Sequence, residues 1–114
     1  MLYISSMGFI YLLNMEKTSL YKIGITSKSV EKRAKKLQTG NPLKIKIENT
    51  YESDFYRQIE STMHKMLKHK KYVEEDFDYI KGEWFILDND DVRGFVEKCR
   101  KIEENLKFLD KNKI

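Results

Sequence analysis

The sequence is poor in the residues and segments that define several classes of protein. Its 114 residues include one cysteine and one proline, and no apolar run approaches the roughly 18 residues that a membrane-spanning helix needs. The single cysteine, Cys99, excludes an internal disulfide and has no partners for a zinc site. Met1 to Met15 lacks a basic leader and a small-residue cleavage site, so we expect no signal peptide and a cytoplasmic protein.

Charge is plentiful but unevenly spread. The chain is 40% hydrophobic and 35% charged with a net charge of +4, which predicts a single globular domain over residues 1–114. Seven basic residues lie between Lys28 and Lys46, with Glu31 as the one acid, and a second basic run covers Lys65 to Lys71. Such a basic front favours a polyanionic partner, although well-solvated lysine helices explain the same charges about equally well.

Apolar periodicity predicts a small sheet with helices packed against it, in the order β-β-α-β-α-β-α. Two short apolar runs, 8–13 and 21–26, are separated by polar residues and are typical of a β-hairpin. Alternating apolar and polar residues predict a third strand over 43–51, and Trp84 to Leu87 predicts a last strand. The acidic stretch 72–81 is predicted to be irregular.

Three helices are predicted from apolar residues that recur at helical spacing. Their predicted caps and bounds are, in chain order, Ser27 or Ser29 for a helix of about ten residues, Ser53 or Asp54 for a helix to about Lys70, and Asn89 or Asp90 for a terminal helix over 90–108. The expected apolar stripe of the second helix is Phe55, Ile59, Met63 and Met66, and Cys99 lies on that of the third.

Polar groups at the borders of these apolar patterns suit the handling of phosphate. Alternate residues of a strand share a face, so Lys22 lies beside Gly24, and Tyr11 would join them if it comes out on the same side of the hairpin. Arg33 lies at the edge of the buried stripe of its helix. We expect its stem to be packed and its guanidinium to point along the sheet, which suits bidentate phosphate recognition. Without the hairpin, an ordinary boundary arginine would explain it.

Glu60 and His64 are four residues apart on the second helix and therefore share one face. A carboxylate at the edge of a core helix is a good single ligand for Mg²⁺ or Mn²⁺. His64 could orient a water, accept a proton or hydrogen-bond Glu60. The alternative is an ordinary helix-stabilising contact between the two side chains, worth roughly a few tenths of a kcal/mol.

Several of these residues belong to short motifs that follow one another in a fixed order. They are Phe9-Ile10-Tyr11, Lys22-Ile23-Gly24, Arg33, the pair Glu60 and His64, and Gly82-Glu83-Trp84-Phe85. In this order the chain resembles the GIY-YIG nuclease superfamily, and its T5orf172/MUG113-like branch in particular, over about residues 8–87. The resemblance implies an α/β sandwich around a three-stranded antiparallel sheet, here with a short extra strand, and a metal-dependent endonuclease that hydrolyses DNA.

On this resemblance we assign catalytic roles to Tyr11, Lys22, Arg33 and His64, and one Mg²⁺ or Mn²⁺ ion to Glu60. Tyr11, polarised by Lys22 or through a water, would activate the attacking hydroxide, and Arg33 would neutralise charge that develops on the phosphate. Beyond these residues, Glu83 could act on the site indirectly, by contacting one of its residues, or could simply begin a strand. Trp84 and Phe85 are expected to supply core area.

The expected partner is DNA, most simply double-stranded. We expect it to be bound through the lysines of the basic front, which are Lys28, Lys32, Lys35, Lys36, Lys44 and Lys46. Sequence specificity would come from the compact domain, from a second copy in a homodimer or from a partner protein. The alternative function is a non-catalytic DNA-binding module of the same fold, and a less favoured one is a protein-interaction scaffold without phosphate affinity.

Overall fold

The computed structural model describes residues 7–73 and 82–113. The elements are β1 (Gly8–Met15), β2 (Leu20–Thr26), α1 (Val30–Gln38), β3 (Ile45–Ser53), α2 (Tyr56–Met66), a 3₁₀ turn (Lys68–Lys70), β4 (Phe85–Ile86), α3 (Asn89–Arg93) and α4 (Phe95–Lys111). The strands form one antiparallel sheet in the order β3-β1-β2-β4. The predicted α/β class, with a short extra strand on a three-stranded antiparallel sheet, is confirmed.

Strands β1 and β2 form the predicted hairpin, and side chains within its turn set its register. The buried Asn14 amide donates to the carbonyls of Thr18 and Leu20, each at 3.1 Å, and the Thr18 hydroxyl donates to the Met15 carbonyl at 2.6 Å. These bonds give the turn's backbone carbonyls partners that the ladder does not supply. In the resulting register each odd-numbered residue of β1 faces an even-numbered residue of β2.

Alternation along β1 divides the core between the two faces of the sheet. On one face Tyr11, Leu13 and Met15 pack with Val30 of α1 and with Trp84. The other face is covered by α2 and α4, in a cluster that includes Ile10, Leu12, Ile23, Ile59, Met63, Phe95 and Cys99. Helices α1 and α2 therefore lie on opposite faces of the sheet, so side chains from both can meet only around a sheet edge.

The third and fourth strands differ from their predicted bounds. The register of β3 with β1 shifts opposite Leu12 and Leu13, which leaves Glu48 as an extra residue in a bulge. Ile45 is buried, but Ile47 is 37% exposed and Leu43, at 44% exposed, lies before the strand begins. The predicted half-buried alternation over 43–51 was therefore wrong at two of its three apolar positions. The last strand is limited to Phe85–Ile86.

The first helix agrees with its prediction, whereas the second departs from it at both ends. The Ser29 hydroxyl accepts a hydrogen bond from the Lys32 N–H at 3.2 Å and caps α1. Helix α2 begins at Tyr56 without a side-chain cap, so the caps predicted at residues 53 and 54 were wrong. Its predicted apolar stripe also included Met66, which is 46% exposed, while Leu67 is buried in its place.

The predicted terminal helix is two helices. Asp88, rather than residue 89 or 90, caps α3: its carboxylate accepts from the Asp91 N–H at 2.8 Å, and the Asp91 carboxylate accepts from the Asp88 N–H at 3.0 Å. Gly94 separates α3 from α4. Among the described residues, no helix has the length and apolar character needed to cross a membrane. Residues 74–81 of the stretch predicted to be irregular lie outside the described residues.

Candidate active site at the edge of strand β2

Tyr11 and Lys22 lie on the same face of the hairpin. Tyr11 is opposite Gly24 in the β1–β2 register, and Lys22 is two residues from Gly24 along β2. A Cβ atom at Gly24 would come within 2.6 Å of the Tyr11 Cε1 and closer still to its hydroxyl. The glycine is therefore required for the phenol to lie across β2. Tyr11 itself is only 1% exposed, and its hydroxyl has no hydrogen-bond partner within 7–73 and 82–113.

Lys22 is half-buried beneath the segment that leads into β4. Its Nζ lies 6.0 Å from the centroid of the Trp84 ring. Gly82 has a φ of 89°, and a Cβ there would lie 2.7 Å from the Lys22 Nζ. Burial lowers the pKa of Lys22, the nearby charge of Arg33 lowers it further, and the carboxylates of Glu83 and Glu60 partly offset both effects. The site therefore favours a neutral Lys22 amine more than water does.

Arg33 reaches the same site from α1, but not in the way the sequence predicts. The residue is exposed, so the expectation of a packed stem at the edge of the buried stripe was wrong. Its guanidinium is nevertheless close enough for its charge to lower the pKa of Lys22. An exposed arginine is free to form a fork-shaped contact with a phosphate without first breaking a protein contact.

Glu60 approaches Lys22 from the other face of the sheet. It is half-buried on α2, and its carboxylate has no hydrogen bond or ion pair with any other residue that the structure describes. Burial raises the pKa of Glu60, whereas the positive charges of His64 and Lys22 lower it and Glu83 raises it. A desolvated carboxylate without donors is stabilised by any cation that binds to it.

His64 forms no hydrogen bond with Glu60 in the described structure, contrary to one of the three roles considered for it. Its Nε2 lies 2.8 Å from the carbonyl oxygen of Ile23, and its Nδ1 lies 3.1 Å from the Glu83 Oε2. Both neighbours are acceptors, so both contacts are hydrogen bonds only when the imidazole carries two protons. In this arrangement both ring nitrogens of His64 face protein acceptors. His64 ties α2 to the open edge of β2, with its ring edge-on to Phe85.

Glu83 joins this contact to the second basic run. Its Oε1 accepts a hydrogen bond from the Lys71 Nζ at 2.8 Å, while its Oε2 faces His64. The Lys71 hydrogen bond is the main reason that the pKa of Glu83 is lowered, against a smaller opposing effect of burial. Glu83 therefore holds the Gly82–Trp84 segment against α2, and this segment in turn packs on Lys22.

One carboxylate faces the site without a partner, and this limits how a metal could be held. Within the described ranges, no group of three or more histidine, cysteine or acidic side chains could hold a metal ion. Mg²⁺ is commonly bound by one or two carboxylates together with waters and substrate phosphates. Glu60 alone fits a site of that kind, whereas a metal caged entirely by protein ligands does not fit.

The lysines predicted to bind DNA are all exposed. Lys32, Lys35 and Lys36 lie on α1, and Lys46 forms an ion pair with Glu48 at 3.4 Å. The full set predicted on this front is Lys28, Lys32, Lys35, Lys36, Lys44 and Lys46.

A cleft of about 440 Å³ lies beside Glu60. Its lining residues are Glu60, Ser61, His64, Lys65, Lys68, Lys71, Glu83 and Phe85. The cleft therefore joins the candidate metal ligand to the second basic run of the sequence. Periodicity did not predict this juxtaposition, because Lys71 and Glu83 meet only through the packing of β4.

Sequence reasoning missed the residues that shape the surroundings of Lys22. Gly82 and Trp84 were assigned to a motif, but Gly82 had no role and Trp84 was expected only in the core. Trp84 is indeed buried, and it also presents its ring to the Lys22 ammonium. The signal that could have indicated this is the glycine directly before an acidic residue and two aromatics, since a positive φ often marks a close backbone approach.

Comparisons with known proteins bear on the same region. A model of the T5orf172 domain matches residues 8–100. The match includes the hairpin with Tyr11 and Lys22, the helical residues Arg33 and Glu60, and the Gly82–Trp84 segment. No curated protein and no solved structure matches the chain.

Proposed function

The chain belongs to the T5orf172 domain family, which indicates a nuclease-like or DNA-binding module, and on that premise we propose that it is a metal-dependent endonuclease of DNA. The proposal assigns the reaction to the edge of β2. There Lys22, Arg33 and Glu60 come together from three different elements.

The observation that carries the proposal is the unpartnered charge at this edge. The charge of Arg33 is close enough to Lys22 to lower its pKa. The charge of Glu60, on the opposite face of the sheet, raises the pKa of Lys22. Two cations that lie close together without an ion pair reduce the stability of the native state. Such an arrangement is typical of a functional site, where a ligand of opposite charge neutralises the cations. A phosphodiester with a divalent cation supplies both of the missing charges.

In the proposed reaction, the oxygen of a water attacks phosphorus and the bond to the 3′ oxygen breaks. The proton of that water moves to the Tyr11 and Lys22 pair, in which the lowered pKa of Lys22 makes its neutral amine easier to form than in water. The Arg33 guanidinium binds the phosphoryl oxygens and stabilises the charge that they gain in the transition state. Solvent returns a proton to the leaving 3′ oxygen.

Glu60 would hold the single Mg²⁺ or Mn²⁺ ion. When bound, such an ion supplies electrostatic stabilisation of the phosphate and of the leaving oxygen. The role of Glu60 is to bind and orient, and its half-buried position makes the cation contact stronger than it would be in bulk water. His64 is a positioning residue in this scheme, since it fixes α2, and therefore Glu60, against the Ile23 carbonyl.

A non-catalytic DNA-binding module of the same fold is the second candidate, and one observation favours it. Tyr11 is almost completely buried, so its hydroxyl would reach a substrate only through a narrow approach. In such a module the same cations would bind the phosphate backbone, and no metal would be needed.

Nicking of supercoiled plasmid tests the proposal. Wild-type protein should convert the plasmid to the open circular form with Mg²⁺ or Mn²⁺ and should lose that activity in EDTA. DNA binding without metal-dependent nicking would contradict the nuclease and support the binding module. Absence of both binding and nicking would contradict the two candidates together.

Arg33→Ala separates catalysis from binding. It should reduce nicking by about 10²-fold, the scale of one lost transition-state contact, while DNA affinity falls only a few-fold, since one phosphate contact among many contributes little. Arg93→Ala is the matched control, because Arg93 is another exposed helical arginine whose described ion pair is with Asp90 on its own helix. Equal loss of nicking in both variants would overturn the role given to Arg33.

A further inference from the structure

We propose that the cleft beside Glu60 is a second contact site for the nucleic-acid backbone, in which Lys65 and Lys68 bind phosphate groups. This inference rests on the proposed function and extends it. The phosphate contacts expected from the sequence all lie in the stretch from Lys28 to Lys46, whereas no residue of that stretch lines the cleft.

The geometry of α2 aligns the cleft's polar groups. Ser61 and Lys65 are one helical turn apart, and Lys68 follows in the 3₁₀ turn that extends the helix. This stripe runs alongside the one formed by Glu60 and His64, and all five residues line the same cleft. A strand whose phosphate is at Glu60 therefore meets a hydroxyl and two ammonium groups as it continues along α2.

The four lysines of this basic run are used in two different ways. Lys70 donates to the Asp91 carboxylate at 2.6 Å, and Lys71 donates to Glu83 at 2.8 Å. These two lysines join the end of the 3₁₀ turn to α3 and to the segment before β4. Lys65 and Lys68 are exposed, and neither has a side-chain hydrogen bond or ion pair within the described part of the chain. They are the cations of the run that remain available for a ligand.

The positions of these lysines make the site two-sided. Helix α1 and its lysines lie on one face of the sheet, and α2 with Glu60 lies on the other, while Lys22 lies on β2 between the two helices. A nucleic-acid backbone can thus cross the edge of β2 with phosphate contacts on both sides of the reacting phosphate. Contacts on both sides restrain the scissile bond better than contacts on one side, since they prevent rotation about it.

The first test measures DNA affinity against salt for Lys65→Gln/Lys68→Gln. Loss of two phosphate contacts should weaken binding about tenfold and reduce the slope of log affinity against log salt by roughly two. Lys101→Gln/Lys111→Gln is the matched control, since it removes the same charge from exposed positions on α4. It should leave the slope unchanged. Equal effects of the two double variants would overturn the inference while leaving the proposed function intact.

The second test locates the two contact regions on the DNA. The only native cysteine, Cys99, is buried, so Lys68→Cys and Lys32→Cys can each carry a photo-crosslinker at one defined position. On a short duplex the two proteins should cross-link to separate sets of nucleotides, one on each side of the nick. Cross-links from both positions to the same nucleotides would contradict a two-sided site. Wild-type protein that binds no DNA would overturn the inference and the proposed function together.

Discussion

Two half-buried carboxylates in this molecule, Glu60 on α2 and Glu103 on α4, have opposite surroundings. Glu103 accepts hydrogen bonds from the Tyr51 hydroxyl at 2.7 Å and from the Ser53 hydroxyl at 2.5 Å. Glu60 has no donor among the described residues. The fold therefore satisfies one desolvated carboxylate with its own hydroxyl groups and leaves the other without a hydrogen-bond donor in the described part of the chain.

The pKa values follow this difference. Burial raises the pKa of both carboxylates, but at Glu103 the hydrogen bonds from Ser53 and Tyr51 outweigh burial and lower its pKa. The pKa of Tyr51 rises to about 12 through burial and its hydrogen bond to Glu103. At Glu60, burial prevails over the attraction of Lys22 and His64, and its pKa is raised. We infer that Glu103 serves stability, because it joins β3 to α4, and that Glu60 serves ligand binding.

The largest expected effect separates the two carboxylates by activity. Glu60→Gln should reduce metal-dependent nicking by about 10³-fold, since loss of a bound divalent ion removes several kcal/mol of transition-state stabilisation. Glu103→Gln should change nicking by less than about twofold. Both are measured at saturating DNA and Mg²⁺. Similar activity of the two variants would remove the functional distinction between the carboxylates.

Thermal unfolding of the same Glu60→Gln protein distinguishes a ligand-binding role of Glu60 from a structural one. Because the pKa of Glu60 is raised in the fold, its ionised form destabilises the native state, and stability falls as pH rises through that pKa. At pH 7 the variant should therefore have a Tm equal to or above that of the wild type. A clear decrease in Tm would indicate that Glu60 is structural.

The next effect concerns Lys22, the cation between the two faces. Lys22→Met should reduce nicking by about 10²-fold through loss of the proton acceptor. Because its pKa is lowered in the fold, Lys22 reduces the stability of the native state at pH values below its unfolded pKa, so at pH 7 the variant should unfold at the same or a higher temperature. Lys101→Met on α4 should leave both nicking and Tm unchanged. Loss of stability in Lys22→Met would show that the ammonium is needed for folding.

The smallest effect is on stability and comes from Glu103. Glu103→Gln should lower the free energy of unfolding by about 1–2 kcal/mol at pH 7, since charge-assisted hydrogen bonds from two hydroxyls become neutral ones. Because the pKa of Glu103 is lowered in the fold, its ionised carboxylate stabilises the native state at pH values above its unfolded pKa of about 4.5. That stabilisation is lost as pH falls through the folded pKa. The difference from wild type should thus shrink in acid. Urea unfolding at pH 7 and pH 3 measures it, and a constant difference would contradict the assignment.

Local rules predicted the hairpin and the order of the elements as far as β4. They failed where a residue's environment depends on distant packing. Met66 has the helical spacing of a core residue, yet the chain turns into a 3₁₀ helix after it and buries Leu67 instead. Spacing placed His64 on the same helical face as Glu60, but it did not indicate that the Nε2 of His64 lies 2.8 Å from the Ile23 carbonyl oxygen of β2.

The register of the hairpin places Tyr11 beside Gly24 and Lys22. By itself, the sequence determined that Gly24 and Lys22 share one face of β2, because alternation along a strand is a local property. It also determined that Glu60 and His64 share a helical face. Only the tertiary structure decided that α1 and α2 lie on opposite sides of the sheet, and that Arg33 and Glu60 meet Lys22 around its edge. The physical reason is that desolvation and the pairing of charges depend on which elements pack together, and no spacing along the chain specifies this.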